Sequence, residues 1–223
     1  MRVSPPDSRS SRARLLVRRG LLFAVPVATA AVIAGHPPDP ATATDLGDAT
    51  SRYIGIHVAL LFMLPLLGIA LWLLLDGISG LAATVARILI PVALVFYAAF
   101  DALVGIAAGV LSRETTAMSG AERLGAEALA ARWLEIPTPL PIVSTLAVVS
   151  WTAALLAAAL SHYHARSPRV AVAGLALAGP LFGFGHPYIT GVIGMAGLLV
   201  AALAIELNRS PRRGLVLSTR EGG

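Results

Sequence analysis

The sequence predicts an all-α, polytopic transmembrane helical bundle of six spans with both termini in the cytoplasm, and three observations predict it. Hydrophobic residues make up 57% of the chain and charged residues only 13%, with a mean hydropathy of +0.79. Soluble domains carry roughly 25% charged residues, and a water-soluble fold of this length could not hide so much apolar surface. The apolar residues are gathered into runs near the roughly 20 residues that cross a bilayer core of about 30 Å. The charges sit between those runs, with Arg shared unequally between alternate gaps.

The runs fall at about 20–35, 53–75, 84–111, 140–161, 170–185 and 188–206. They divide the chain into a basic segment 1–19, one membrane domain 20–206 with an external loop at 112–139, and a basic tail 207–223. As one helix, Leu81–Leu111 would measure roughly 46 Å, so its first turns, up to Arg87, are expected at the cytoplasmic interface. The fifth run is short and meets the sixth through Gly183-Phe184-Gly185-His186-Pro187. Gly and Pro in that order break a helix, which predicts a tight helical hairpin.

Orientation follows from the arginines, because short loops rich in them stay in the cytoplasm. Twelve lie in the segments assigned inside, including Arg18, Arg19, Arg166 and Arg209, and four in those assigned outside, Arg52, Arg113, Arg123 and Arg132. All 17 basic residues are Arg and none is Lys, which fits the coding bias of a GC-rich bacterial genome. A rival expectation concerns the first run. A basic start, about 15 apolar residues and Ala28-Thr29-Ala30 resemble a cleaved secretory signal, and Arg18-Arg19-Gly20-Leu21-Leu22 resembles a twin-arginine signal. Cleavage there would leave five spans.

The external segments differ in kind. Residues 36–51 read as an extended polar linker. In 112–139, Ser119 and Glu122 have capping-box spacing, and Leu124, Ala128, Leu129 and Trp133 place apolar residues mostly on one side of a short helix. That helix is expected either to lie in the outer interface as a lid or simply to connect two spans.

Few residues are left to carry chemistry. Asp101 comes first, because an ionisable group inside a membrane is costly and defaults to a functional candidate. It lies about 15 Å inside the outer end of the third span. Tyr97, Asp101, Gly105 and Gly109 follow at four-residue spacing, and Gly105-x-x-x-Gly109 invites close approach of another helix. Ser150 and Thr152 fall at similar depth in the fourth span and are expected to hydrogen-bond Asp101. His57 is expected about 10 Å above it, within reach of a water-linked relay. Interhelical bonding that stabilises the fold weighs evenly against an ion or proton pathway.

His36, His57 and His186 fall at the outer ends of spans, where three imidazoles suit Zn, Cu or haem iron. No His-Glu-x-x-His pattern supports such a site, and His36 and His186 each precede Pro, so turn roles explain them without a metal. Gly191 and Gly194 belong to a smooth stripe expected to pack the last hairpin. Pro26, Pro65, Pro91 and Pro180 place a kink-prone residue in each of four spans.

These observations exclude several functions. The absence of Cys removes disulfides, thiol nucleophiles and thiolate metal sites. Phosphate loops, paired acidic motifs and a Gly-x-Ser protease motif are absent too, and nothing suggests nucleic-acid binding. No cofactor is expected. The sequence leaves a non-enzymatic membrane component or envelope-complex partner, in contact with lipid and with a membrane protein or a second copy, or a small transporter or ion- or proton-handling protein centred on Asp101. Metal or haem binding by the external histidines is a third alternative.

Overall fold

A computed structural model of the protein describes residues 8–37, 46–135, 139–185 and 189–218, with side chains for 12–37, 46–129, 141–185 and 189–209. The helices are α1 (Ser8–Ala34), α2 (Thr50–Leu74), α3 (Leu81–Phe100), α4 (Ala108–Ala117), α5 (Gly120–Glu135), α6 (Pro139–His164), α7 (Arg169–Gly185) and α8 (Ile189–Ser218). A short 3-10 turn, Gly47–Ala49, leads into α2, and a π-helical segment, Asp101–Ala107, joins α3 to α4 without a break.

Five stretches are long and apolar enough to cross a membrane: Arg12–Ala34, Gly47–Leu74, Leu81–Ala117, Pro141–His164 and Ile189–Arg209. The chain is therefore an all-α, multi-span membrane protein. The shorter apolar helix α7 has 17 residues, roughly 26 Å at the helical rise. Pro26, Pro65, Pro91 and Pro180 all lie inside helices, where the rings remove backbone bonds without ending the element.

Six of the helices close a ring, in which α1 packs on α2, α2 on α3, α3 on α6, α6 on α7, α7 on α8 and α8 back on α1. Small residues set the tightest crossings. A Cβ on Gly174 would stand 2.5 Å from the Gly197 carbonyl oxygen, and one on Gly194 would stand 2.9 Å from the Phe182 nitrogen. Backbones of α7 and α8 therefore touch with nothing between them, the geometry that small residues permit in lipid. Gly191 is buried in the same hairpin. Inside the ring Trp151, Phe182 and Tyr97 form an aromatic cluster, with ring centroids 5.0–6.1 Å apart and no more than 2% exposure each.

Helix α1 belongs to this bundle. Leu22, Val25 and Ile33 are buried in the shared core, and Arg18 bonds to groups on α2 and α8. It begins well before residue 20, and α8 continues through the region expected as tail. The described residues of 112–139, expected as an external loop, are mostly helical. Helix α4 runs on to Ala117, and Gly120 at φ 57° turns the chain into α5. Among the described residues that helix packs mainly on α4, and Leu124 and Leu129 stand 67% and 65% exposed.

Candidate functional site

The two ends of the ring carry polar clusters of opposite character. At the arginine-rich end Arg18 donates from Nε to Glu206 Oε1 at 2.9 Å and from Nη2 to the Leu73 carbonyl at 2.7 Å, and pairs with Asp76 at 3.3 Å. Arg209 donates to the Asp76 carbonyl at 2.7 Å and lies 3.6 Å from Glu206 Oε1. The second oxygen of Glu206 faces Arg19 at 3.9 Å. Glu206 is 5% exposed and would be costly alone, but here each charge meets its opposite. This network ties the first half of α1, the end of α2 and the second half of α8 together at one end of the bundle.

The other cluster is built where α2 meets the α3–α4 rod. One turn into α2, Tyr53 and His57 stand four residues apart and share a face. His57 Nδ1 donates to the Tyr53 carbonyl at 2.9 Å. A carbonyl can only accept, so Nδ1 carries a hydrogen, and the other ring nitrogen is Nε2. That nitrogen stands 4.0 Å from Asp101 Oδ1, and both side chains are 2% exposed. The gap is outside hydrogen-bond reach.

Glycine makes the approach possible. A Cβ on Gly105 would fall inside the imidazole of His57, and one on Gly109 would lie 2.6 Å from Ile54 Cγ1. The ring of His57 therefore lies flat against the rod at Gly105 and reaches back one turn to Asp101. This brings His57 much nearer to Asp101 than the expected 10 Å, because counting helical rise ignores how far an imidazole extends along the axis.

The rod is not a plain α-helix here. Asp101–Ala107 is π-helical, a wider form that recurs at functional positions and that leaves carbonyls displaced from their usual partners. Val104 contributes one such carbonyl, and Tyr53 Oη donates to it at 3.1 Å. His36, at the end of α1, completes the cluster with ring centroids 5.1 Å from His57 and 5.3 Å from Tyr53. Its Nδ1 donates to the Pro37 carbonyl at 2.5 Å.

Asp101 Oδ1 has no hydrogen-bond partner, and neither do His36 Nε2, Ser112 Oγ or Thr115 Oγ1, although all four atoms are buried. Native interiors rarely leave such groups unpaired, and each orphan asks for a ligand or water. From Asp101 to Ser112 the orphans run roughly 16 Å along the rod toward the end opposite the arginines. In the other direction Tyr97 is the next buried group on the rod, its hydroxyl donating to the Gly183 carbonyl at 3.0 Å. Beyond it the aromatic cluster fills the ring.

Ser150 and Thr152 do not join this site. Ser150 returns its hydroxyl to the carbonyls of Leu146 and Ala147 on its own helix. Thr152 Oγ1 lies against Gly183 of α7 and bonds nothing. Hydroxyls in a helix satisfy themselves on the preceding turn, a competition that equal depth does not reveal. His186 lies outside the described residues. Among the described residues no group of three His, Asp or Glu is placed to hold a metal ion.

Tyr53 and the π-helical turn are the components that sequence reasoning missed. Tyr53 had a signal in its four-residue spacing from His57. Comparison with protein-family models, with curated proteins and with solved structures returns no match, so the chain stands on its own geometry as a multi-span membrane protein.

Proposed function

We propose that the protein handles protons within the cell membrane, taking them up on the His57–Asp101 pair from the face opposite the arginine-rich end. The observation that carries this is the buried Asp101 Oδ1, without a hydrogen bond and 4.0 Å from His57 Nε2. Between an acceptor nitrogen and a carboxyl oxygen, one proton can sit on either group. The titratable neighbours are Tyr97 on the same rod, Tyr53 beside His57 on α2, and His36 on α1. The orphaned hydroxyls of Ser112 and Thr115 support hydrated access from the outer end, and the aromatic cluster beneath Asp101 interrupts the water path, so that onward passage to the other face is slow and depends on the pair. No step of this kind needs a catalytic residue, so the chain is read as a non-enzymatic membrane component.

In this reading the chain crosses the membrane six times, with α7 as the fifth crossing and both termini in the cytoplasm. The twelve-to-four arginine imbalance supports it, as does the meeting of Arg18 and Arg209 around Glu206. Because the chain has no Cys, single cysteines report sidedness cleanly. Asp48→Cys and Ser119→Cys should react with an impermeant maleimide from outside the cell, and Arg166→Cys should not. Labelling of Arg166→Cys from outside would reverse the orientation.

The function is tested by reconstituting the purified protein in vesicles that trap a pH dye and applying a potassium diffusion potential. Proton entry should exceed that of empty vesicles and return to that baseline in Asp101→Asn, which keeps the side-chain shape. If the wild type does not exceed empty vesicles, or if Asp101→Asn conducts equally, the pair is an interhelical fastener and the proposal fails.

A further inference from the structure

A second site lies on the outside of the ring, between α2 and α3 near the arginine-rich end. The two helices touch where Gly68 faces Leu94, since a Cβ on Gly68 would overlap the Leu94 side chain. Beside this contact they part and leave a groove of about 760 Å³, lined by Ile69, Trp72, Ile90 and Leu94 and flanked by Pro65 and Pro91. Ile69 and Trp72 are about half exposed, at 47% and 49%, so the groove opens toward lipid and not into the bundle. Two charged residues, Asp76 and Arg87, line its polar end.

Those charges differ from the rest of the ionic network in having capacity left over. Arg87 spends Nη2 on the carbonyls of Leu75 and Ile78, both at 2.8 Å, which pins the guanidinium at the mouth. Among the described residues no carboxylate pairs with it, and its bonds to the protein use Nη2 alone. Asp76 pairs with Arg18 through Oδ2, but its side chain is 70% exposed and Oδ1 is open. A cation and a carboxylate thus stand together where an apolar slot reaches the membrane surface.

We propose that this groove holds one acyl chain of a phospholipid whose headgroup carries both a phosphate and a primary ammonium, with the phosphate on Arg87 and the ammonium on Asp76. Guanidinium suits phosphate because its donors are planar and fixed. A primary ammonium has three N–H donors to give a carboxylate, and a quaternary choline has none. Headgroup pockets between helices at the membrane surface are a known form of lipid recognition, and here the charge pattern selects a zwitterion over a purely anionic lipid.

Trp72 reports occupancy. Trp151 is fully buried, so in a Trp133→Phe background the lipid-dependent fluorescence comes from the groove. The protein is placed in phosphatidylcholine vesicles containing a tenth of one test lipid brominated in its acyl chains. Brominated phosphatidylethanolamine should quench Trp72 as though enriched about fivefold over brominated phosphatidylcholine, with brominated phosphatidylglycerol between them. Arg87→Gln should lower quenching by all three to the bulk level. Asp76→Asn, at an exposed position that the fold tolerates, should leave the Arg87 contribution and abolish the preference for ethanolamine over choline. Equal quenching by the three lipids overturns the proposal, as do a preference for phosphatidylglycerol and an ethanolamine preference that survives Asp76→Asn. Relief of quenching by millimolar inorganic phosphate would make Arg87 a free-anion site. A stable dimer that shields Trp72 from every brominated lipid would assign the groove to a second copy, and either result also overturns it.

Discussion

The arginine-rich end and the histidine end of the ring each hold a buried carboxylate, Glu206 and Asp101, yet they differ in whether the groups around it find partners. Around Glu206 three arginines, two backbone carbonyls and a second carboxylate account for one another at 2.7–3.9 Å. Toward the other end Asp101 Oδ1, His36 Nε2 and the hydroxyls of Ser112 and Thr115 are buried and left without hydrogen bonds. A balanced network makes a joint, and an unbalanced one makes a site. Both are costly to build in a low-dielectric interior, but only the second leaves bonding capacity for something that comes and goes.

Four substitutions break or sharpen that contrast. Glu206→Ala strands Arg18 and Arg209 and should cost about 3 kcal/mol, read as lost thermal stability in detergent, because removing one partner of a buried pair leaves the other uncompensated. A negligible loss would mean that the joint is ornamental. Gly105→Val forces the imidazole of His57 off the rod and should cost about 2 kcal/mol by overpacking. It should also stop proton entry into vesicles, and flux that survived it would show that the His57 position is immaterial.

Thr152→Val has the opposite sign. It keeps the shape and removes a buried hydroxyl that bonds nothing, so unfolding measurements should show a gain of about 1 kcal/mol. A loss would reveal a partner for that hydroxyl. Asp76→Ala should have the smallest effect, about 0.5 kcal/mol, since an ion pair to a side chain 70% exposed is screened by solvent. A loss as large as that of Glu206→Ala would make the joint one cooperative unit.

Much of the fold was legible because lipid imposes so few options. Spans must be helical and apolar, and the runs read from hydropathy coincide with helices whose ends shift by several residues. The extra length lay in the segment before residue 20, in 112–117 and in the tail, where polar residues extend a helix past the hydrocarbon and hydropathy falls silent. Asp101, Gly105 and Gly109 stood out by type and spacing alone. What they face did not. No local signal marks a π-helical turn, and register between helices depends on how side chains lie along their axes, so the His57–Asp101 distance was overestimated. Ser150 failed to reach Asp101 because a closer carbonyl on its own helix outcompeted it. Arg87 was expected at the interface, yet only geometry separates it, with donors to spare, from the saturated Glu206.

The central claim is that Asp101 exchanges a proton in the folded protein, and infrared difference spectroscopy reads this directly. With the protein in vesicles and the outer pH stepped, the account predicts a band from a protonated carboxyl group that changes intensity and is missing in Asp101→Asn. A difference spectrum without such a band, or one that is the same in Asp101→Asn, would contradict it.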